Sequence, residues 1–428
     1  MPTSASAKAK QPIPRPVRTI KARKVHDTHR ARPEPESAFL VRRQAELSLC
    51  IATGIVASAA LFPSRFTVST AHTRTPTLHQ HSLPAKFLFL SYEDPTTGRY
   101  FRGIDDAAIV AFWVLAFTFL RIALRSWVWA PLARFGGVRN RRKIMSFSEQ
   151  GWNVVYNSTS FFCGLYIMWR SGYSFFNTRT LWTAYPFAAL PSLTKLYYLI
   201  QMGFWTQQFI VLYTEKRRKD HMQMLVHHCF TTSLLAGSYY CNATPVGNAI
   251  LVIMDPADVF LGLAKMFKYL GFLTLCDATF VLFLLCWVIS RHILFGLLLY
   301  STMYETHANV PNVWKPEEGL LLPGFILHAF NTVLIALQGL ICIWFVTIVK
   351  IAYKVVTGAG ADDTRSDSEE DEEEEESTPT SPMKSTSKDS SHSSSSSVTL
   401  TNALHRADRK EDFNWEDLGK NSDSGDSS

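Results

Sequence analysis

Apolar residues along this chain collect in runs of about 20, the length at which an α-helix crosses roughly 30 Å of hydrocarbon. The runs fall at 45–62, 104–131, 152–169, 185–213, 222–240, 249–267, 272–300 and 321–353. Polar stretches separate them, and several are rich in Lys and Arg. Arg134, Arg139, Arg141, Arg142 and Lys143 follow the second run, Lys216, Arg217 and Arg218 follow the fourth, and Lys265 and Lys268 close the sixth. The pattern predicts an all-α polytopic membrane protein of about eight transmembrane helices. With eight crossings, every basic short loop falls on the side of the basic amino-terminal arm, which the positive-inside bias makes the cytoplasm. Pro186 and Pro191 interrupt the start of the fourth run, and the turn at 242–248 reverses the chain between the fifth and sixth.

Composition alters this picture only at the ends. A chain of 428 residues that is 47% hydrophobic and 18% charged would pass for a soluble protein, but the charge is concentrated in the termini and short loops. Residues 1–43 have no apolar periodicity and no run near Met1 suited to a cleavable signal peptide, so they are expected to form a disordered basic cytoplasmic arm beside anionic lipid. Residues 44–146 hold the first two transmembrane helices with a polar loop, and 147–353 a helical domain. Residues 358–428 are acidic and Ser-rich, too poor in apolar surface to offset ordering entropy, and are expected to be a disordered cytoplasmic tail. Ser366 and Ser368 each have an acidic residue three positions on, the pattern of an acid-directed kinase site. The net charge of +7 sums a basic arm and an acidic tail, and so points to no nucleic-acid partner. The glycosylation sequons at Asn157 and Asn242 are expected to stay unused. The cysteines show neither a disulfide framework nor zinc-ligand spacing.

The candidate chemistry lies at 220–269. His227, His228, Asp255 and Asp258 sit inside two apolar runs, where an Asp near the bilayer centre costs about 3 kcal/mol and ionisable groups therefore mark function. Asp255 and Asp258, three apart, share a helix face, while adjacent His227 and His228 diverge by about 100°. Thr231 and Thr232 each lie one turn from a histidine. Counted from the basic loops at ~1.5 Å per residue, both pairs reach a similar depth in the cytoplasmic half. Histidine and carboxylate at one depth suit general-base chemistry on an amine or hydroxyl, or nucleophilic histidine. A buried polar network, a proton or ion relay, and metal binding are the alternatives, although adjacent histidines share one ion poorly.

The run His227-His228-x-x-Thr231, then Ser238-Tyr239, Asn242, Gly247-Asn248, Asp255-x-x-Asp258, Lys265 and Tyr269, resembles the signature of the ceramide synthases, the longevity-assurance family of TLC-domain membrane proteins. The frame at 147–353 is similar to that family's lipid-sensing domain, and the acidic Ser-rich tail is similar to its fungal branch. Gly262 and Met254 depart from the residues many members carry there. The resemblance implies a TLC-domain helical bundle enclosing a lipid tunnel in the endoplasmic reticulum membrane, with both termini cytoplasmic. It implies transfer of a fatty acyl group from acyl-CoA to the amine of a sphingoid base, with acyl-CoA as co-substrate and no cofactor or metal. It admits a homo- or heterodimer and a small regulatory subunit. His227 is then the catalytic base or acyl carrier, His228 its partner, and Asp255 and Asp258 the orienting, amine-binding carboxylates. Thr231, Ser238, Tyr239, Asn242 and Lys265 are the implied substrate-binding residues. Arg141, Arg142, Lys216, Arg217 and Arg218 could attract the CoA phosphates. A TLC-domain lipid sensor, transporter or translocation-associated protein without chemistry is the rival reading.

Overall fold

A computed structural model describes residues 36–61, 65–68, 78–215 and 220–356 of the chain. The long helices are α1 (Glu36–Leu61), α2 (Asp106–Phe135), α3 (Arg141–Ser171), α4 (Ser192–Thr214), α5 (His221–Tyr240), α6 (Thr244–Leu270), α7 (Leu273–Asn309) and α8 (Gly324–Val356). The loop before α2 carries a small antiparallel hairpin, β1 (Arg65–Val68) and β2 (Leu78–His81), with Arg65 opposite His81. Each predicted apolar run is thus a helix, with shifted ends. α1 starts at Glu36, inside the arm expected to be disordered, directly after Pro35. α3 starts at Arg141, because the Asn140 side chain accepts the Arg142 backbone N–H at 2.8 Å and caps a turn expected to be loop. α6 starts at Thr244, since Pro245 suits a first helical turn, and the predicted turn at 242–248 shrinks accordingly. α7 runs on past Tyr300 to Asn309 through two widened π segments, Val288–Leu294 and Ser301–Glu305. The remaining residues of the arm, Lys216, Arg217, Arg218 and the whole tail with Ser366 and Ser368 lie outside the described residues.

Among the described residues, four helical stretches are long and apolar enough to cross a membrane: Arg43–Leu61, Asp106–Phe135, Leu273–Asn309 and Gly324–Val355. The chain is therefore a multi-pass membrane protein. α3 to α6 are of similar length but carry more polar residues, and the structure turns many of these inward. Gln150, Asn153 and Asn157 of α3 and His227, His228 and Thr231 of α5 all face one interior cavity.

Close approach of α3 and α6 builds the centre of the bundle. A Cβ added to Gly164 would stand 2.5 Å from Val252 and 2.8 Å from the Tyr197 hydroxyl, and one added to Gly262 would stand 2.7 Å from Val154. Gly262, one of the departures noted above, is thus the residue that lets α3 settle against α6. Asn248 fastens the same contact by donating to the Gly164 carbonyl at 3.1 Å and to the Tyr173 hydroxyl at 2.8 Å.

At the α5–α6 turn, a polar plug closes the bundle. Fully buried Lys195 places its ammonium 2.7 Å from Asp106 and donates to the carbonyls of Ser91 and Phe101 at 2.9 and 2.6 Å. Three acceptors answer its three protons, which is what a buried ammonium requires. Arg102 donates to Asn242 and to the Ala188 and Phe187 carbonyls, the latter two at 2.9 Å, and its guanidinium lies 4.9 Å over the Tyr239 ring. In the loop between, hydroxyl and backbone donors from Thr97 and Thr96 hold the Asp94 carboxyl below the ordinary carboxylate range. That turn's stabilisation is present at neutral pH and is lost as pH falls through the lowered pKa.

Gly164→Leu should lower the detergent-solubilised melting temperature by several degrees, an overpacking cost of about 1–3 kcal/mol. Gly296→Ala, whose Cβ would meet nothing within 4 Å, should leave it unchanged.

Candidate active site

α5 and α6 run antiparallel from the Cys241 turn and carry the four candidate residues into one cavity of about 530 Å³. Its wall includes His227, His228, Thr231, Ser238, Asp255, Asp258 and Lys265. Although neighbours in sequence, both histidines reach it. Their ring centroids are 5.7 Å apart, and both stand edge-on to Trp205 at 5.7 and 5.6 Å. Trp344 of α8 closes on His227 at 5.3 Å and is itself fixed by donating its indole N–H to Gln223 at 3.0 Å. His228 is buried, with Phe209 at 5.9 Å. The aromatic collar holds the rings by shape and leaves their hydrogen-bonding atoms for a ligand: neither Nδ1 has a partner, and the Thr232 hydroxyl beside them has none either. The local threonine bonds expected for the imidazoles do not form.

The two aspartates, one turn apart, have different surroundings. Asp255 is buried on the α3–α4 side beside Ser160, within electrostatic range of Tyr156 and Tyr197. A chain of hydrogen bonds lies there: Tyr156 donates to Gln201 at 2.6 Å, and Gln201 donates to Ser160 at 2.5 Å. Asp255 Oδ2 has no partner. Asp258 is more open, its side chain 45% exposed, and accepts from Arg291 of α7 at 2.8 Å. Pro256 lies between them inside α6 and removes one backbone N–H from the helix at the level of the site. Among the described residues no carboxylate bonds a histidine, so the two pairs are joined by the cavity they line and not by direct contact.

The cavity is polar at one end and apolar along its length. Arg121, Glu149, Glu215, Asp220, His221, Lys265, Lys268 and Asp277 line the polar end. Arg121, buried, pairs with both Glu149 and Glu215, and Arg125 stands 3.6 and 3.5 Å from the same two carboxylates. The opposite end is walled by Trp182, Ala243, Val246, Leu322, Leu327 and Phe330. From His227 to the end of α5 at Tyr240 the helix covers ~20 Å, so the apolar part is long.

Other sequence-predicted residues fall elsewhere. Tyr239 faces away from the cavity and donates to Asp106 at 2.8 Å, while Asn242 is buried in the plug and donates to the Gly319 carbonyl at 2.7 Å. Both sit at the turn end of α5, where they join the plug, and neither lines the cavity. The same burial keeps the Asn242 sequon from solvent. Arg141 and Arg142 are exposed in the first turn of α3, outside the cavity wall; the cations within that wall are Arg121, Lys265, Lys268 and Arg291. Arg121 and Arg291 were missed, although each is a charge within an apolar run and so carries the same signal that marked the histidines.

Tyr239→Phe and Asn242→Ala should each cost about 1–3 kcal/mol of thermal stability by leaving buried polar partners unsatisfied. Their substrate KM values should stay at the parent level in a purified-enzyme assay.

Comparison with known proteins agrees with this geometry. Residues 146–350 match the family model described as the TLC domain. The chain is similar to the sphingosine N-acyltransferase lag1 of Schizosaccharomyces pombe, 43% identical over 302 residues that cover 69% of this chain and 75% of that protein. It is also similar to the ceramide synthase LAG1 of Saccharomyces cerevisiae, 32% identical over 66% of this chain and 69% of that protein. The sphingosine N-acyltransferase-like protein ALT7 of Alternaria alternata is 39% identical over 66% of this chain and 72% of its own length. A cavity that joins two histidines and two aspartates in a helical membrane bundle, together with these likenesses, places the chain in the TLC-domain family of sphingosine N-acyltransferases, the ceramide synthases.

Proposed function

We propose that the cavity between α3, α4, α5, α6, α7 and α8 is the active site of a sphingoid-base N-acyltransferase, which moves a fatty acyl group from acyl-CoA to a sphingoid amine and yields a ceramide. The observation that carries this reading is the convergence of His227, His228, Asp255 and Asp258 on one cavity that is polar at one end and apolar along its length. The substrates have the same division. Acyl-CoA joins a charged, water-soluble carrier to an apolar chain, and the sphingoid base joins an amine and hydroxyls to another. The apolar part acts as the lipid tunnel, with the polar mouth taking the CoA side of the thioester. Arg141 and Arg142, exposed in the first turn of α3, attract the CoA phosphates, as do Lys216, Arg217 and Arg218 by their charge.

A sphingoid amine is mostly protonated near neutral pH and has no lone pair to offer until it loses a proton. Asp255 and Asp258 receive the ammonium, which gives up one proton to water to free its lone pair, and His227 takes a second proton from the nitrogen as the C–N bond forms, with His228 beside it. A histidine that has accepted this proton then returns it to the departing thiolate. The unpartnered Nδ1 atoms also allow His227 to carry the acyl group transiently. All eight long helices cross the membrane of the endoplasmic reticulum, leaving both termini and the polar mouth in the cytoplasm, where acyl-CoA is available. The relatives' names favour this enzyme over a non-catalytic lipid sensor or transporter.

Purified protein given acyl-CoA and a sphingoid base should release free CoA. His227→Ala should reduce that release by at least about 100-fold while the protein remains monodisperse on size exclusion. Undiminished release in this variant would overturn the assignment. In sealed microsomes, added protease should remove the acidic tail, and protection of the tail would contradict the eight-crossing arrangement.

A further inference from the structure

Arg291 is a buried cation whose donors are only partly used. Its side chain is 7% exposed, and Nη2 donates both to Asp258 at 2.8 Å and to the Met254 carbonyl at 3.0 Å. The guanidinium carbon lies 4.2 Å over the Trp287 ring, which fixes its plane. Nη1 is buried and has no partner, although the residue lines the cavity. Arg291 is also within electrostatic range of His227 and Asp255. A guanidinium present only to neutralise a carboxylate would engage it with both arms of its fork. Here one arm holds α6 at the two positions flanking Pro256, and the other is left free. An unanswered charged donor in a buried site is costly, and its retention points to an acceptor that arrives with the substrate.

We propose that Arg291 is a catalytic residue of the acyl transfer, its Nη1–H donating to the thioester carbonyl oxygen and stabilising the negative charge that develops there. This rests on the acyltransferase reading above. As the amine nitrogen bonds to the carbonyl carbon, the C=O π pair moves onto the oxygen beneath Nη1. The ammonium has by then released one proton to water at the open Asp258 side of the site, which frees its lone pair, and the second proton, on the nitrogen once the C–N bond has formed, passes to His227. When the carbonyl re-forms, the C–S bond breaks and the thiolate takes the proton back from the imidazole, giving amide and free CoA. If His227 itself attacks first, the same oxygen carries the same charge twice. Arg291 stays protonated throughout and acts as a hydrogen-bond donor, never as a proton source.

The test compares the full-length enzyme with Arg291→Gln, Arg291→Lys and Asp258→Asn. Steady-state CoA release should show kcat down by about 100- to 1000-fold in Arg291→Gln, with the KM for acyl-CoA little changed. Two stable probes read the contact without turnover: an S-(2-oxoalkyl)-CoA, which keeps a carbonyl, and an S-alkyl-CoA thioether, which lacks it. The parent enzyme should bind the ketone at least about tenfold more tightly than the thioether, as expected for a hydrogen bond from a charged donor. Arg291→Gln should bind both alike. Should Arg291→Gln not fold, Arg291→Lys carries the same comparison, because a single ammonium cannot serve Asp258 and the carbonyl together. A kcat within about tenfold of the parent, or an intact ketone preference, would overturn the proposal. So would loss of that preference in Asp258→Asn, which would make Arg291 a positioning residue for the carboxylate. If the parent enzyme itself releases no CoA, the acyltransferase reading fails, while the ketone preference still reports on Arg291.

Discussion

Hydrocarbon cannot solvate a charge or an open hydrogen-bonding group, and this one constraint shapes the arrangement of the bundle. Every ionisable side chain placed within an apolar helix must meet a partner or a polar cavity. Lys195 and Asp106 meet each other in the plug at one end, and Arg121 meets two glutamates at the other. Between these ion-paired clusters lie His227, His228, Asp255 and Arg291, each with a buried polar atom that has no partner.

The contrast between plug and centre bears on how such a site is built. In the plug, Lys195, Arg102, Asn242 and Tyr239 are tied together by side-chain hydrogen bonds, which give α5 and α6 a fixed starting point. In the centre, aromatic rings replace hydrogen bonds as the positioning device. Trp205, Trp344 and Phe209 hold the imidazoles by shape without consuming their nitrogen atoms. Apolar packing thus orients the imidazoles, and their Nδ1 atoms stay without partners. The tight α3–α6 contact at Gly164 and Gly262 supplies the rigidity that this requires, because a helix that cannot tilt keeps Asp255 and Asp258 at a constant depth.

The mixed charge at the polar end fits two substrates of opposite sign. Arg121, Lys265 and Lys268 stand among Glu149, Glu215 and Asp220, so neither a phosphate nor an ammonium meets a uniformly repulsive rim. Beyond it, the wall is mostly aliphatic and aromatic side chains.

Much of this was legible in the order of residues. Apolar runs marked the helices because length and hydropathy are local properties, and His227, His228, Asp255 and Asp258 stood out because a charge in such a run demands an explanation. Pro245 and Asn140 displaced the predicted helix ends for local reasons that a closer reading of the turns contains. Other features were decided only in three dimensions. That adjacent histidines would share one cavity depended on Trp205 and Trp344 arriving from α4 and α8. That Tyr239 and Asn242 would leave the site for the plug depended on Arg102 and Asp106, more than 130 residues away in the chain. That Arg291 would reach Asp258 depended on how α7 lies against α6. Periodicity reports which face of a helix is polar, whereas the partner of that face is fixed by packing between distant segments, and there the site acquires its chemistry.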